Sequence, residues 1–368
     1  MARIRPSSGN PFAANLLERS ASGYAGLAAS LLLERNPGLR DRHAPDALAS
    51  WRSHLTQRVL ELAAAVAAGE PRLFTGRVTW SRKAFKARGQ DEDEAELSDG
   101  MRALRDVLVE RLPQPAVTLT VEYVNMALAL LAAPAPAPDR SELDARHPAD
   151  RLALLYLQKI LEGNVVEAMA VVTGAAQNGL GSRSAYTDIL LPAQREIGRL
   201  WHAGELSIAE EHMVTAATQR TMAVLVSQAV RPPANGHTVV VAAVSGNVHD
   251  VGLQALADMY QLAGWRVIFV GSDVPMLDLP TMLAFFEADL LMLGATLPTH
   301  IPRVEQAIRS IRERCERRVQ VVVGGAAFDE APDLWEKIGS DGYAPTIDQA
   351  LEVGARLVGL SGGQRGDA

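Results

Sequence analysis

The run Thr238-Val239-Val240-Val241-Ala242-Ala243-Val244, followed at once by Ser245-Gly246-Asn247-Val248-His249-Asp250-Val251-Gly252, decides the fold. Its first seven residues are apolar or β-branched without alternation, which suits a strand covered on both faces. The next eight are short, polar and glycine-bearing, and they lead into the helical pattern Leu253–Ala263. The pattern recurs. Apolar runs at Trp265–Val270, Leu290–Leu293 and Val319–Val323 alternate with helical stretches at Met276–Glu287 and Pro302–Arg314. Strands of this kind alternating with helices predict a doubly wound, Rossmann-like α/β fold with a parallel sheet. Ligands of such sheets bind beyond the carboxyl ends of the strands, where the strand order switches. Three loops therefore matter: Ser245–Gly252, Gly294–His300 and Gly324–Phe328.

Outward from this region, 237–360, the chain is punctuated twice. Arg231-Pro232-Pro233-Ala234-Asn235-Gly236 closes a helical pattern. The Ala-Pro alternation within 133–145 reads as a semi-rigid linker, because proline removes backbone donors and holds the chain extended. Between them, 146–231 has helix-spaced apolar residues such as Leu152, Leu155, Tyr156 and Ile160, and short turns, which predict a four-helix bundle. Residues 1–132 are expected to form a helical domain, with amphipathic or apolar patterns at Ala47–Ala68, Glu94–Leu112 and Val117–Ala132.

Composition bounds the function. The 368 residues suggest two or three domains, and 48% hydrophobic with 21% charged residues is ordinary for a globular chain. A net charge of -7 argues against a nucleic-acid binder over the whole chain. The single cysteine, Cys315, excludes a disulfide scaffold and a multi-thiolate zinc site. It falls on a charged helix end and reads as a solvated or half-buried spectator. The N-terminus MARIRPSSGNPFAAN lacks the apolar core of a signal peptide, and the longest apolar runs read as too short for a bilayer. A cytoplasmic protein with no membrane contact is expected.

Two constellations could carry chemistry. In the first, His249 projects from the end of the leading strand, Gly252 permits close approach of a flat ligand, and Gly294, Thr296, Leu297, Gly324 and Gly325 line a slot under the sheet edge. A lone loop histidine is by itself most simply a solvated side chain; the two further glycine-bearing strand ends favour a ligand. In the second, Gly204 stops one helix, and Ser207 with Glu210 forms a capping box that starts the next. Trp201 and His202 then sit in a last turn, with Glu211 and His212 opposite in a first turn. A polar corner over a core tryptophan is the plain alternative.

The first set is similar to the cobalamin-binding domain of methionine synthases, corrinoid carriers and B12-dependent photoreceptors. The family pattern D-x-H-x-x-G, S-x-L or S-x-T, then G-G falls on Asn247, His249 and Gly252; Gly294 and Thr296; Gly324 and Gly325. The tail DGYAPT at 341–346 resembles the family's last strand and turn. The resemblance implies that His249 is the lower cobalt ligand and that Ser245, Asn247, Asp250, Val251 and Leu297 lie along the cofactor. Asn247 stands where the family has an acid, and Gly294 where it has serine, whose hydroxyl Thr296 or Ser245 could replace.

The second set resembles the W-x9-EH motif of the helical cap in adenosylcobalamin photoreceptors of the CarH/LitR type. It implies that Trp201 packs on the adenosyl group, Glu211 hydrogen-bonds it, and His202, with His212 beside it, can ligate cobalt after photolysis.

Together these imply a light-sensing regulatory protein, not an enzyme, with adenosylcobalamin held between cap and sheet domain. The corner is expected to close over a macrocycle-sized gap floored by the His249 loop. One alternative keeps the sensor but holds biliverdin, which the changes at Asn247 and Gly294 suggest. Another is a corrinoid carrier for methyl transfer, and a third an apo scaffold. Residues 1–132 lack the winged helix of those photoreceptors and read as a module for self-association or a regulatory protein partner. The basic stretch Arg77–Arg88 could touch DNA, but the acidic run Asp91-Glu92-Asp93-Glu94 follows at once and opposes it.

Overall fold

The computed structural model describes residues 9–137 and 139–360, with the side chains of Asp91 and Glu92 outside the description. Residues 1–8 of the N-terminal segment and Pro138 of the Ala-Pro linker therefore lie outside it too. By contacts the chain forms two compact units. One is Met1–Pro138 with Leu297–Arg303 and Ala326–Leu334; the other is Asp139–Thr296, Val304–Gly325 and Trp335–Ala368.

The first unit is helical: α1 (Pro11–Arg19), α2 (Ala21–Arg35), α3 (Pro37–Arg42), α4 (Ala47–Ala68), α5 (Arg72–Ala87), α6 (Asp91–Arg111) and α7 (Gln114–Ala132). Its alanine-rich helices pack closely, with Ala25, Ala28, Ala29 and Ala65 fully buried. The basic stretch falls mostly on α5, and two of its arginines are engaged within the unit. Arg82 is buried against Glu94 at 2.6 Å, and Arg77 pairs with Glu61 while stacking over Trp80. The expectation that no stretch could span a bilayer needs correction. α7 is long and apolar enough by length and composition, although Ala116, Thr120, Tyr123, Val124, Ala127 and Leu131 are buried in the unit, as in a core helix.

The second unit begins with the bundle: α8 (Pro148–Leu161), α9 (Val165–Ala175), the single turn α10 (Ser182–Ser184), α11 (Leu191–His202) and α12 (Ile208–Gln228). π-helical turns at Ala176–Leu180 and Ala185–Leu190 flank α10. The sheet follows, with β1 (Thr238–Val244), α13 (Val251–Leu262), β2 (Arg266–Val274), α14 (Leu279–Phe285), β3 (Leu290–Gly294), α15 (Ile301–Arg314), β4 (Gln320–Gly324), α16 (Leu334–Lys337), β5 (Gly342–Tyr343) and α17 (Ile347–Leu357). Five parallel strands run in the order β2-β1-β3-β4-β5. This is the doubly wound Rossmann-like fold, and its order switches at β1 between β2 and β3. The DGYAPT segment supplies β5 and the cap of α17.

One strand differs from its reading. β2 was expected to be covered on both faces, yet it is the sheet edge, longer than expected and largely accessible. Its pairing with β1 is irregular past Val241, and such bulges blunt an edge against further strand addition. Apolar content alone cannot tell an edge strand from a central one.

The bundle and sheet were read as separate segments, but their cores are continuous. Ala255 and Met259 of α13 lie in one buried cluster with Tyr156, Ile160, Tyr186, Ile189 and Met222 of the bundle. The other face of α13, through Leu256 and Tyr260, packs on Val239, Val241, Leu290 and Met292 of the sheet. One helix thus joins both layers.

Candidate functional site

The loop after β1 is tied down at several points. Asn247 N–H returns to the Val244 carbonyl at 2.9 Å, across Gly246 at φ 82°. Gly246 N–H and the Ser245 hydroxyl donate to Asp273 Oδ1 at 2.6 and 3.4 Å. Asn247 is 1% exposed; its Nδ2 donates to the Gly294 carbonyl at 3.2 Å, and its Oδ1 accepts from the His249 N–H at 3.1 Å. The loop is thereby pegged to the ends of both neighbouring strands, at the topological switch. Asn247 does not serve the His249 ring, as an outer acceptor would; both ends of its amide hold backbone. Ser245 turns toward Asp273, so its hydroxyl does not replace the missing one at Gly294. The His249 side chain is exposed and makes no hydrogen bond among the described residues.

The glycines at the strand ends work differently from the expected slot. A Cβ on Gly294 would meet Leu253 methyl carbons at 2.6 and 2.9 Å, and one on Gly324 would meet the Ala344 carbonyl at 2.7 Å. Gly325, at φ 99°, abuts the Ala295 carbonyl at 2.5 Å from its ideal Cβ position. Small residues here let backbone and Leu253 close in, so these three glycines do not line open space. Two surface concavities, of about 660 and 600 Å³, lie elsewhere, along α6–α7 and on α8. Of the four motif glycines Gly252, Gly294, Gly324 and Gly325, Gly252 alone faces open space, with no atom within 4 Å of a Cβ placed there. Thr296 is half-buried after β3. Leu297 donates its N–H to His300 Nδ1 at 3.1 Å and groups with the other unit.

The bundle corner has the local form read from its residues. Gly204 stands at φ 76° after α11, and Ser207 and Glu210 form the reciprocal capping box of α12. His202, in the last turn of α11, is 9% exposed, and Trp201 is half-buried. Glu211 accepts from Thr215 at 2.8 Å and lies 2.5 Å from His212 Nδ1, whose ring is exposed. Behind them Gln194 Oε1 lies 3.3 Å from the Thr215 hydroxyl, whose one proton goes to the nearer Glu211. Gln194 Nε2 donates to Thr218, which meets the Tyr156 hydroxyl at 3.0 Å.

One residue that sequence reasoning missed, Gln219, joins this corner to the sheet. Gln219 Nε2 donates to Asp250 Oδ1 at 3.2 Å, beside His249. Glu211, Thr215 and Gln219 recur every four residues, so they share one face of α12, over a span of about 12 Å. The periodicity was available in the sequence, but not the partner at its end. Leu253, the residue filling the slot, gave no signal beyond following Gly252. Val251 packs against the bundle core.

Farther along the seam, the Tyr186 hydroxyl lies 2.9 Å from the Met222 carbonyl and 2.7 Å from Asp258 Oδ2. One hydroxyl proton cannot serve both acceptors. A neutral Asp258 donating to Tyr186, which donates to Met222, satisfies the count. Burial favours that form, lifting the Asp258 carboxyl to about 6. Cys315 is half-buried with its thiol toward the Pro280 carbonyl, and burial raises its pKa.

These features suit one apical metal ligand on a fixed loop, with a helical cap bonded beside it and open space over Gly252. A doubly wound domain with such a loop at its switch, preceded by a four-helix cap, defines a cobalamin-binding module. Comparisons agree: one B12-binding-domain model matches residues 237–352 and a second matches 155–226. Dimethylamine corrinoid protein 1 of Methanosarcina acetivorans is 30% identical over 175 residues, 46% of this chain and 80% of that protein. A corrinoid protein of Desulfitobacterium hafniense is 27% identical over 169 residues, 44% of this chain and 77% of that one. The solved monomethylamine corrinoid protein of Methanosarcina barkeri shares the fold, with a TM-score of 0.50 and 20% identity over 56% of this chain and 98% of its own. This chain belongs to the B12-binding family of corrinoid proteins and is a cobalamin-binding protein. That family lends no support to biliverdin.

Proposed function

We propose that the chain is a light-responsive regulatory protein, with His249 as lower ligand of an adenosylcobalamin and the α11–α12 corner over its upper face. The shared face of α12, running from Glu211 through Thr215 to Gln219 and ending on the His249 loop at Asp250, supports a cap over that loop. A sensor and a methyl carrier both need such a cap, and the similarity to corrinoid proteins favours the carrier. When bound, the cofactor supplies a cobalt–carbon bond that visible light breaks. Trp201 and Glu211 hold the upper group in the dark, Glu211 kept in place by Thr215. His202, buried in the last turn of α11, becomes available to the metal only when that turn repacks. Such a local packing change can bias a two-state element. Residues 1–132 lie outside both matched segments and are the natural output module.

A second reading, a corrinoid carrier for methyl transfer, is favoured by the names of the dimethylamine corrinoid proteins. One experiment separates them. The chain is loaded with adenosylcobalamin in darkness and illuminated, with absorption and amide exchange of α11 and α12 followed. The sensor reading expects a lit form with a stable new spectrum, altered in His202→Ala, and faster exchange at the corner. Photolysis indistinguishable from that of free cofactor, together with methyl transfer from the methylcobalamin-loaded chain to a thiol, establishes the carrier.

A further inference from the structure

Asp250 occupies the N-cap position of α13, where a carboxylate ordinarily accepts from its own helix, yet it makes no capping hydrogen bond. Its Oδ1 instead accepts from Gln219 of α12. The backbone on its other side is already immobilised, with Asn247 bonded to Gly294 and to the His249 N–H. Gln219 therefore supplies the one side-chain hydrogen bond from the cap to this loop among those described.

We infer that Gln219 is a positioning residue for cobalt ligation: its hydrogen bond to Asp250 sets where His249 stands and couples that position to α12. The inference rests on the assignment of His249 as lower ligand. The energetic reason is simple. The hydrogen bond is half-buried, and a half-buried carboxyl oxygen deprived of its partner loses that bond without full access to water. Released from it, Asp250 can turn back to cap α13, and the adjacent His249 backbone turns with it. Because Gln219 shares its helix face with Thr215 and Glu211, a displaced loop also displaces the residues that hold the upper side. The link runs both ways, as any coupling between two sites must.

The test uses the full chain, grown with 15N-histidine, carrying cob(II)alamin. Its electron paramagnetic resonance lines split into doublets when a labelled histidine is the axial ligand and into triplets when the cofactor's own benzimidazole is. Gln219→Ala should lower the ratio of histidine-ligated to unligated cobalt roughly tenfold, the worth of one such bond. It should also speed amide exchange at 245–250 in the cofactor-free chain. Gln219→Glu, which faces two carboxylates toward each other, should lower the ratio at least as far. Q219E combined with D250N exchanges acceptor and donor, so ligation should recover. Thermal melting of the cofactor-free variants checks that each folds. A wild-type spectrum with doublet splitting that neither Gln219 variant changes overturns this inference and leaves His249 as ligand. A wild-type spectrum without the doublets overturns the His249 assignment and this inference with it.

Discussion

Gly325 shows how a single residue can be correct in a motif and mistaken in its role. Its small size was read as room for a ligand, whereas its φ of 99° and the Ala295 carbonyl at 2.5 Å show a close backbone approach. Both conditions exclude a side chain, since an L-residue is strained at that angle and its Cβ would overlap the carbonyl. Gly325→Ala is therefore expected to destabilise the chain by about 1–3 kcal/mol, read as a lower urea midpoint at unchanged slope. A midpoint within error of the parent would show that the turn relaxes freely. His249 is the opposite case. Its position after β1 was legible, because an apolar strand followed by a polar, glycine-bearing loop has few other meanings. Its lack of a side-chain hydrogen bond among the described residues was not, because hydrogen bonding depends on residues from β2, β3 and α12. Asn247 illustrates the same limit, with both ends of its amide committed to groups two and 47 positions away.

Among the elements, the α11–α12 hairpin was the most legible, since Gly204, Ser207 and Glu210 act on neighbours within a few residues. The capping box depends on side chains three apart reaching each other's backbone, and no distant contact is needed. The α12–α13 seam was not legible, because helices from separate sequence regions meet there. Its behaviour with pH follows from the proton count at Tyr186. The Asp258 carboxyl is raised to about 6 in the folded chain by burial, above its unfolded value near 4. The folded state binds the extra proton between these values, so stability is greatest below about pH 4 for this group and falls as pH rises through about 6. Asp258→Asn should flatten that portion of the stability profile while the remaining groups keep theirs. A profile unchanged by the substitution would mean that Asp258 is ionised throughout, with Tyr186 donating to it rather than to Met222.

At the scale of the whole molecule, bundle and sheet form one unit because α13 contributes Ala255 and Met259 to one core and Leu256 and Tyr260 to the other. A ligand that binds only the folded form adds to its stability by mass action. Cobalamin at a hundred times its dissociation constant should stabilise the chain by about 2.7 kcal/mol, seen as a higher thermal midpoint that depends on cofactor concentration. His249→Ala should weaken that dependence; an equal shift in both proteins would place the binding energy elsewhere. The first unit was only partly legible. α4, α6 and α7 were expected, while α1, α2 and α3 were unassigned. α5 was read as a surface whose charge the following acidic run compensates, which the Arg82–Glu94 pair matches although Arg82 is buried. Its arginines are matched within the unit by Glu61 and Glu94, partners separated from them in sequence.

What the order of residues determined alone was whatever short-range chemistry controls: the parallel αβ alternation, the His249 loop at a strand end, and the turn between α11 and α12. Only the tertiary structure decided that β2 is an edge, that Leu253 fills the space beside Gly294, and that Gln219 meets Asp250. Each of these depends on which distant surfaces come together. A local pattern specifies how a segment can fold but not which neighbour will satisfy it.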